Sequence, residues 1–97
     1  MTHKVQCEIK VDHPCLAGHF PGNPIVPGVV ILDEILYALT AWKNDSQIEQ
    51  MSTVKFLTPI KPGQQFTISL IETKPKRIEF NCSRDDTVFA TGKFSLK

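Results

Sequence analysis

The chain is expected to form one α+β domain in which an antiparallel sheet packs around a single long helix. Three observations lead there. A stretch from Gly28 to Lys43 is apolar almost throughout, five segments read as strands, and proline, glycine or aspartate marks the breaks between most of them. The first strand is predicted over Lys4–Val11, where Val5, Cys7, Ile9 and Val11 alternate with more polar residues. From Asp12 to Pro27 the chain carries Pro14, Pro21, Pro24 and Pro27 with Gly18 and Gly22. That density removes backbone donors and opposes both helix and central strand, so a long stiff loop is expected. Pro27-Gly28 suits a helix start, because the missing proline N–H would have had no partner in the first turn. Apart from Asp33, Glu34, Thr40 and Lys43, residues 28–43 offer little for water to bind, and a helix of that kind should be enclosed by other structure. Strands follow at about Ile48–Leu57, Gln65–Lys74, Arg77–Ser83 and Thr87–Leu96, separated by turns at Pro59–Gly63, Lys74-Pro75 and Arg84–Asp86.

The 97 residues suit one domain spanning residues 1–97. A composition of 41% hydrophobic and 22% charged residues belongs to a folded globular chain rather than a disordered one. With a net charge of +1 and no basic run, nothing points to nucleic acid. No apolar stretch approaches the ~20 residues that cross a bilayer, and no secretory signal pattern begins the chain, so neither a membrane nor export is expected. Cys7, Cys15 and Cys82 form no CxxC motif and cannot all pair within one chain, which fits a reducing cytoplasm.

The proline loop and the helix start carry the chemistry. His19 sits in a segment with little entropy left to lose, and it can act as a base near neutral pH. The N–H groups of Gly28 and Val29 at the helix start lack intrahelical partners and lie at the positive end of the helix dipole, where a carbonyl oxygen gaining negative charge is stabilised. Asp33 and Glu34 follow within an apolar helix. Desolvation there favours the protonated acid, which can serve as a proton donor.

His19-Phe20-Pro21-Gly22-Asn23-Pro24-Ile25-Val26-Pro27-Gly28-Val29 closely resembles the HFPxxPxxPGV signature of the FabA/FabZ 3-hydroxyacyl-ACP dehydratases. Lys55-Phe56 through Pro59-Ile60-Lys61-Pro62-Gly63 resembles that family's KFxxPxxPGD segment, with Gln64 in place of its acidic residue. The resemblance implies a hot-dog fold, a sheet around one central helix. It also implies a dimer, either a homodimer or a heterodimer with a related hot-dog chain, whose sites combine the histidine of one chain with the acid of the other. In the family the acid stands fourteen residues after the histidine, which here is Asp33, with Glu34 as the alternative one residue later. Four residues after the acid, where FabZ-type enzymes often carry glutamine, this chain has Tyr37.

The activity implied is dehydration of a 3-hydroxyacyl thioester to a trans-2-enoyl thioester, in fatty acid or polyene-type biosynthesis. No cofactor is involved beyond the phosphopantetheine arm of an acyl carrier protein. His19 would be the base, Gly28 and Val29 N–H the oxyanion donors and Asp33 the acid. Phe20, Pro27, Val30, Ile31, Leu36 and Tyr37 are candidates for the acyl tunnel. The basic cluster Lys74, Lys76 and Arg77 is the candidate docking surface for an acidic carrier, although such a cluster is most often just a solvated hairpin edge that discourages sheet aggregation. Two other functions fit the same resemblance: a hot-dog thioesterase, and a non-catalytic subunit that binds a carrier or a partner dehydratase. Asp12, His13, Cys15 and His19 match no strong zinc spacing, and no metal is expected.

Overall fold

The computed structural model describes residues 2–10, 25–43 and 47–97, and most of the proline-rich loop, His19 included, lies outside them. The elements are β1 (Thr2–Glu8), α1 (Gly28–Trp42), β2 (Ile48–Phe56), β3 (Gln65–Lys74), β4 (Arg77–Arg84) and β5 (Thr87–Leu96). They form one five-stranded sheet in the order β1-β3-β4-β5-β2, and every neighbouring pair is antiparallel. The expected α+β architecture is present. Most boundaries fall within a residue of the expected ones; β1 is the exception, beginning at Thr2 and ending at Glu8.

Two tight hairpins build the centre of the sheet. Between β3 and β4, Lys74 pairs with Arg77, so Pro75 and Lys76 make the turn. Proline supplies the negative φ of the first turn position, and Lys76 takes φ 64°, the sign pattern of a type II turn. Between β4 and β5, Arg84 pairs with Thr87 and Asp85 takes φ 52°, a conformation aspartate tolerates better than most side chains. The two edge strands are joined through the helix, since β1 leads into the loop and α1, and α1 leads into β2 at the opposite edge.

Alternation along the strands sends Phe66, Ile68 and Leu70 of β3, Ile78, Phe80 and Cys82 of β4, and Ala90, Phe94 and Leu96 of β5 to one buried face. Against them α1 sets Val30, Ile31, Ile35, Ala38 and Leu39, a stripe at helical spacing. Ile9, Val26, Ile60 and Phe89 close the ends of this core. A fully buried aliphatic or aromatic side chain is worth about 1.5–3 kcal/mol, so this single face carries the stability of the chain. Gly92 lets β2 approach β5: a Cβ there would run into the ring of Phe80 and come within 2.5 Å of the Thr53 carbonyl oxygen.

Two features add to the sequence expectation. β2 breaks step with β5 between Ile48 and Gln50 and again between Met51 and Thr53, so its half-buried residues are Ile48, Met51 and Val54, every third rather than every second. Of the helix, expected to be enclosed, the described residues cover one side. Val29, Asp33, Leu36, Tyr37, Thr40 and Ala41 are exposed, with Val29 62% and Tyr37 76% open to solvent. The reason is geometric: one sheet layer can cover one flank of one helix, and among the described residues nothing lies on the other.

Candidate active site

The start of α1 is fixed from three directions. Pro27 caps the helix in an extended conformation, with φ −62° and ψ 146° and no side-chain cap. Its carbonyl accepts the N–H groups of Val30 at 3.0 Å and Ile31 at 3.4 Å. The N–H of Val26 donates to the Ile60 carbonyl at 2.8 Å, which ties the segment before the helix to the chain beyond β2. The N–H groups of Gly28 and Val29 make no backbone hydrogen bond among the described residues. These are the two donors that the sequence marks for an oxyanion. The third direction is Phe56, whose ring lies directly against Gly28.

The two carboxylates on α1 differ in surroundings. Asp33 is exposed on the open flank of the helix, one turn beyond Val29 and one turn before Tyr37. Glu34 is half-buried and turned toward β1, where the Cys7 thiol donates to its Oε2 at 3.6 Å. Burial, reinforced by the Glu34 charge and this contact, pushes the Cys7 thiol up to about 12, and burial alone pushes Cys82 up to about 12. Both cysteines are free. Kept as neutral thiols, they are poor nucleophiles at neutral pH. The apolar surroundings expected around Asp33 are not supplied by the described part of its own chain.

The Cys7–Glu34 contact belongs to a seam that pins one flank of α1 to the β1 and β3 side of the sheet. His3 stacks on Trp42 with ring centroids 5.6 Å apart and planes 6° from parallel. Lys43 lies over the Trp42 ring at 5.0 Å and pairs with Glu72 of β3 at 3.3 Å. The hydrogen bond from Lys43, joined by one from the Lys76 N–H, holds the Glu72 carboxyl below the usual carboxylate range. With this flank tied down, the flank bearing Asp33 is the one left open.

The other expected site residues divide by environment. His19 and Phe20 lie outside the described residues. Pro27 is half-buried at the cap, and Val30 and Ile31 are inside the core, packed with their own sheet. Leu36 and Tyr37 face the open flank. Lys74, Lys76 and Arg77 are exposed around the β3–β4 turn. The bonds from Lys43 and Lys76 to Glu72 place that turn at the C-terminal end of α1. The fifteen-residue helix rises about 22 Å from Gly28 to that end. Two clefts open along β2, β4 and β5, of about 440 and 430 Å³, and neither is lined by Gly28, Asp33 or Glu34. Sequence reasoning missed Phe56 and Cys7 as neighbours of the site. The Lys55-Phe56 motif is visible in the sequence, but its approach to Gly28 depends on how β2 returns along the helix.

A five-stranded antiparallel sheet on one helix, with a proline-capped helix start and an acid on the open flank, defines a hot-dog protein. Solved structures agree. The dehydratase heterocomplex ApeI:P from Xenorhabdus doucetiae superposes with a TM-score of 0.86 at 23% identity, covering 98% of this chain and 86% of that one. A probable thioesterase from Bartonella henselae superposes with a TM-score of 0.74 at 16% identity, covering 98% and 87%.

In sequence, the 3-hydroxyacyl-[acyl-carrier-protein] dehydratase FabZ of Haemophilus influenzae is 33% identical over 78 residues, 71% of this chain and 53% of that protein. The FabZ of Pasteurella multocida is 35% identical over 78 residues, 71% and 51% of the two chains. The chain thus spans about half the length of these relatives. The ApeI-like family, described as ApeI dehydratase, matches residues 1–93. The chain belongs to the ApeI-like dehydratase family.

Proposed function

We propose that the chain dehydrates a 3-hydroxyacyl thioester carried on the phosphopantetheine arm of an acyl carrier protein, in the cytoplasm and without a further cofactor. The observation that carries this reading is the open flank of α1, on which Asp33 follows by about one turn the Gly28 and Val29 N–H groups, which have no backbone partner among the described residues. His19 removes a proton from C2, and the electron pair of that C–H bond becomes the new C2–C3 π bond. The C3–O bond breaks with its electrons going to oxygen, and Asp33 donates the proton that lets the hydroxyl leave as water. The Gly28 and Val29 donors hold the thioester oxygen while C2 carries negative charge. The imidazolium and the aspartate then exchange their proton with solvent for the next turn.

Leu36 and Tyr37 on the open flank and Pro27 at the helix cap, together with Phe20, are the tunnel residues this reading favours. Val30 and Ile31 support the tunnel wall from within the core. Lys74, Lys76 and Arg77 give the densest positive charge for an acidic carrier. From that turn, the carrier's arm has to run the length of the helix to reach Gly28 of the same chain.

The purified protein is expected to convert 3-hydroxyacyl-ACP to an enoyl thioester, seen as new conjugated absorbance, and to release no thiol from a saturated acyl-ACP. Free thiol from the saturated substrate would make it a thioesterase instead, and no turnover of either would favour a binding subunit.

The uncovered flank of α1 also supports assembly with a second hot-dog chain, of the same or a related sequence. Among the described residues six large apolar side chains are exposed, four of them Val29, Leu36, Tyr37 and Phe56, and a single small domain gains from covering such surface. Light scattering at micromolar concentration is expected to give the mass of a dimer, alone or with its related partner. A monomer with full dehydratase activity would overturn this assembly.

A further inference from the structure

The ring of Phe56 occupies the space in front of the first helical residue. A Cβ built on Gly28 would fall 2.8 Å from its Cζ, 3.0 Å from Cε2 and 3.2 Å from Cε1. Non-bonded carbons prefer about 3.5–4.0 Å, so any side chain at position 28 collides with the ring. Gly28 is not among the glycines with positive φ. It is therefore its neighbour, and not its backbone angles, that a side chain at this position would have to displace.

The main chain that carries the ring is held on both sides. Phe56 pairs with Ala90 across β2 and β5, and the next two N–H groups, of Leu57 and Thr58, both donate to the Phe89 carbonyl at 2.8 and 3.2 Å. Phe56 nevertheless stays 51% exposed, beside Leu57 at 58%. An aromatic side chain whose main chain is so firmly placed, whose ring lies against a helix start and which is still left half open, is unusual for a residue whose role is packing alone.

Resting on the dehydratase reading, we infer that Phe56 is a positioning residue, its ring forming one wall of the thioester site, aligning the thioester carbonyl with the Gly28 N–H and keeping water from that bond. A hydrogen bond to a developing oxyanion gains strength as water is excluded from it. A thioester without that wall can slide out of line, and a displacement of about 1 Å can cost 10²-fold in rate.

The test measures kcat, KM and melting temperature for Phe56→Ala, Phe56→Leu, Gly28→Ala and the Gly28→Ala/Phe56→Ala double variant, with a 3-hydroxyacyl-ACP as substrate. Phe56→Ala is expected to lower kcat by about 10²-fold with a much smaller change in KM, and Phe56→Leu to recover part of it. Gly28→Ala is expected to lower the melting temperature by collision with the ring. Removing the ring in the double variant should restore that temperature without restoring kcat, which separates packing from positioning. A folded Phe56→Ala protein with wild-type kcat overturns the inference while leaving the dehydratase reading intact. A wild-type protein that does not dehydrate the substrate removes that reading, and the role of Phe56 with it.

Discussion

Replacing His19 by alanine is expected to remove nearly all dehydration while the protein stays folded. The proton at C2 of a thioester is a weak acid, and the reaction needs a base that is largely unprotonated near neutral pH yet strong enough to take it. Imidazole is the side chain whose ordinary titration range meets both demands. General-base catalysis typically contributes 10²–10⁴-fold, so the loss in kcat should fall in that range. Stability should change little, because a histidine in a proline-rich loop is expected to contribute little packing. The measurement is the initial rate of enoyl thioester formation, set beside the melting temperature of both proteins. A folded His19→Ala protein with an undiminished rate would exclude the mechanism.

The second large effect is expected at Asp33. Adjacent helix residues point about 100° apart, so Asp33 and Glu34 cannot face the same substrate. Both have apolar neighbours one turn away in sequence, and periodicity leaves the choice open; only the fourteen-residue spacing from His19 favours Asp33. The orientation of the helix adds an independent argument. Asp33 stands on the open flank, while Glu34 turns toward β1 and receives the Cys7 thiol.

Asp33→Asn keeps the shape and polarity of the side chain and removes the transferable proton. It is expected to lower kcat by about 10²–10⁴-fold at unchanged stability. Glu34→Gln should keep most of the activity and alter only a weak contact to a thiol, worth about 1 kcal/mol or less. Steady-state rates of the two variants, measured side by side with their melting curves, decide the matter. The opposite result would hand the acid role to Glu34.

Much of the fold was legible because its signals are local. Pro27-Gly28 marks the helix start within the chain, and Pro75 and Asp85-Asp86 mark hairpins that close over two residues. The strand pairing β1-β3 and β2-β5 was not legible, since it joins segments far apart in the chain and depends on which edge each reaches. The stepwise offsets of β2 were hidden for a similar reason, because they are defined only against β5.

At the site, the helix start and the two acids could be read from chain order and spacing. The rotation of α1 that separates Asp33 from Glu34 is set by the tertiary contacts Cys7–Glu34, His3–Trp42 and Lys43–Glu72, none of which has a sequence signature. What lies over the second flank of the helix was not legible, because an apolar stretch records how much surface must be covered, and not which segment or chain covers it.

The two offsets in β2 also govern how this edge of the sheet can grow. A flat, regular edge presents evenly spaced donors and acceptors that any extended chain can continue, which is how strands stack without limit. Here the ladder to β5 is interrupted after Ile48 and again after Met51, within a strand of nine residues. A bulged strand bends and twists more strongly than a regular one. A strand added to this edge would have to follow the same bends, and a straight segment would lose contact after a few residues. The irregularity therefore acts as a filter on self-association, disfavouring open-ended fibres while leaving the edge available to a strand of matching contour.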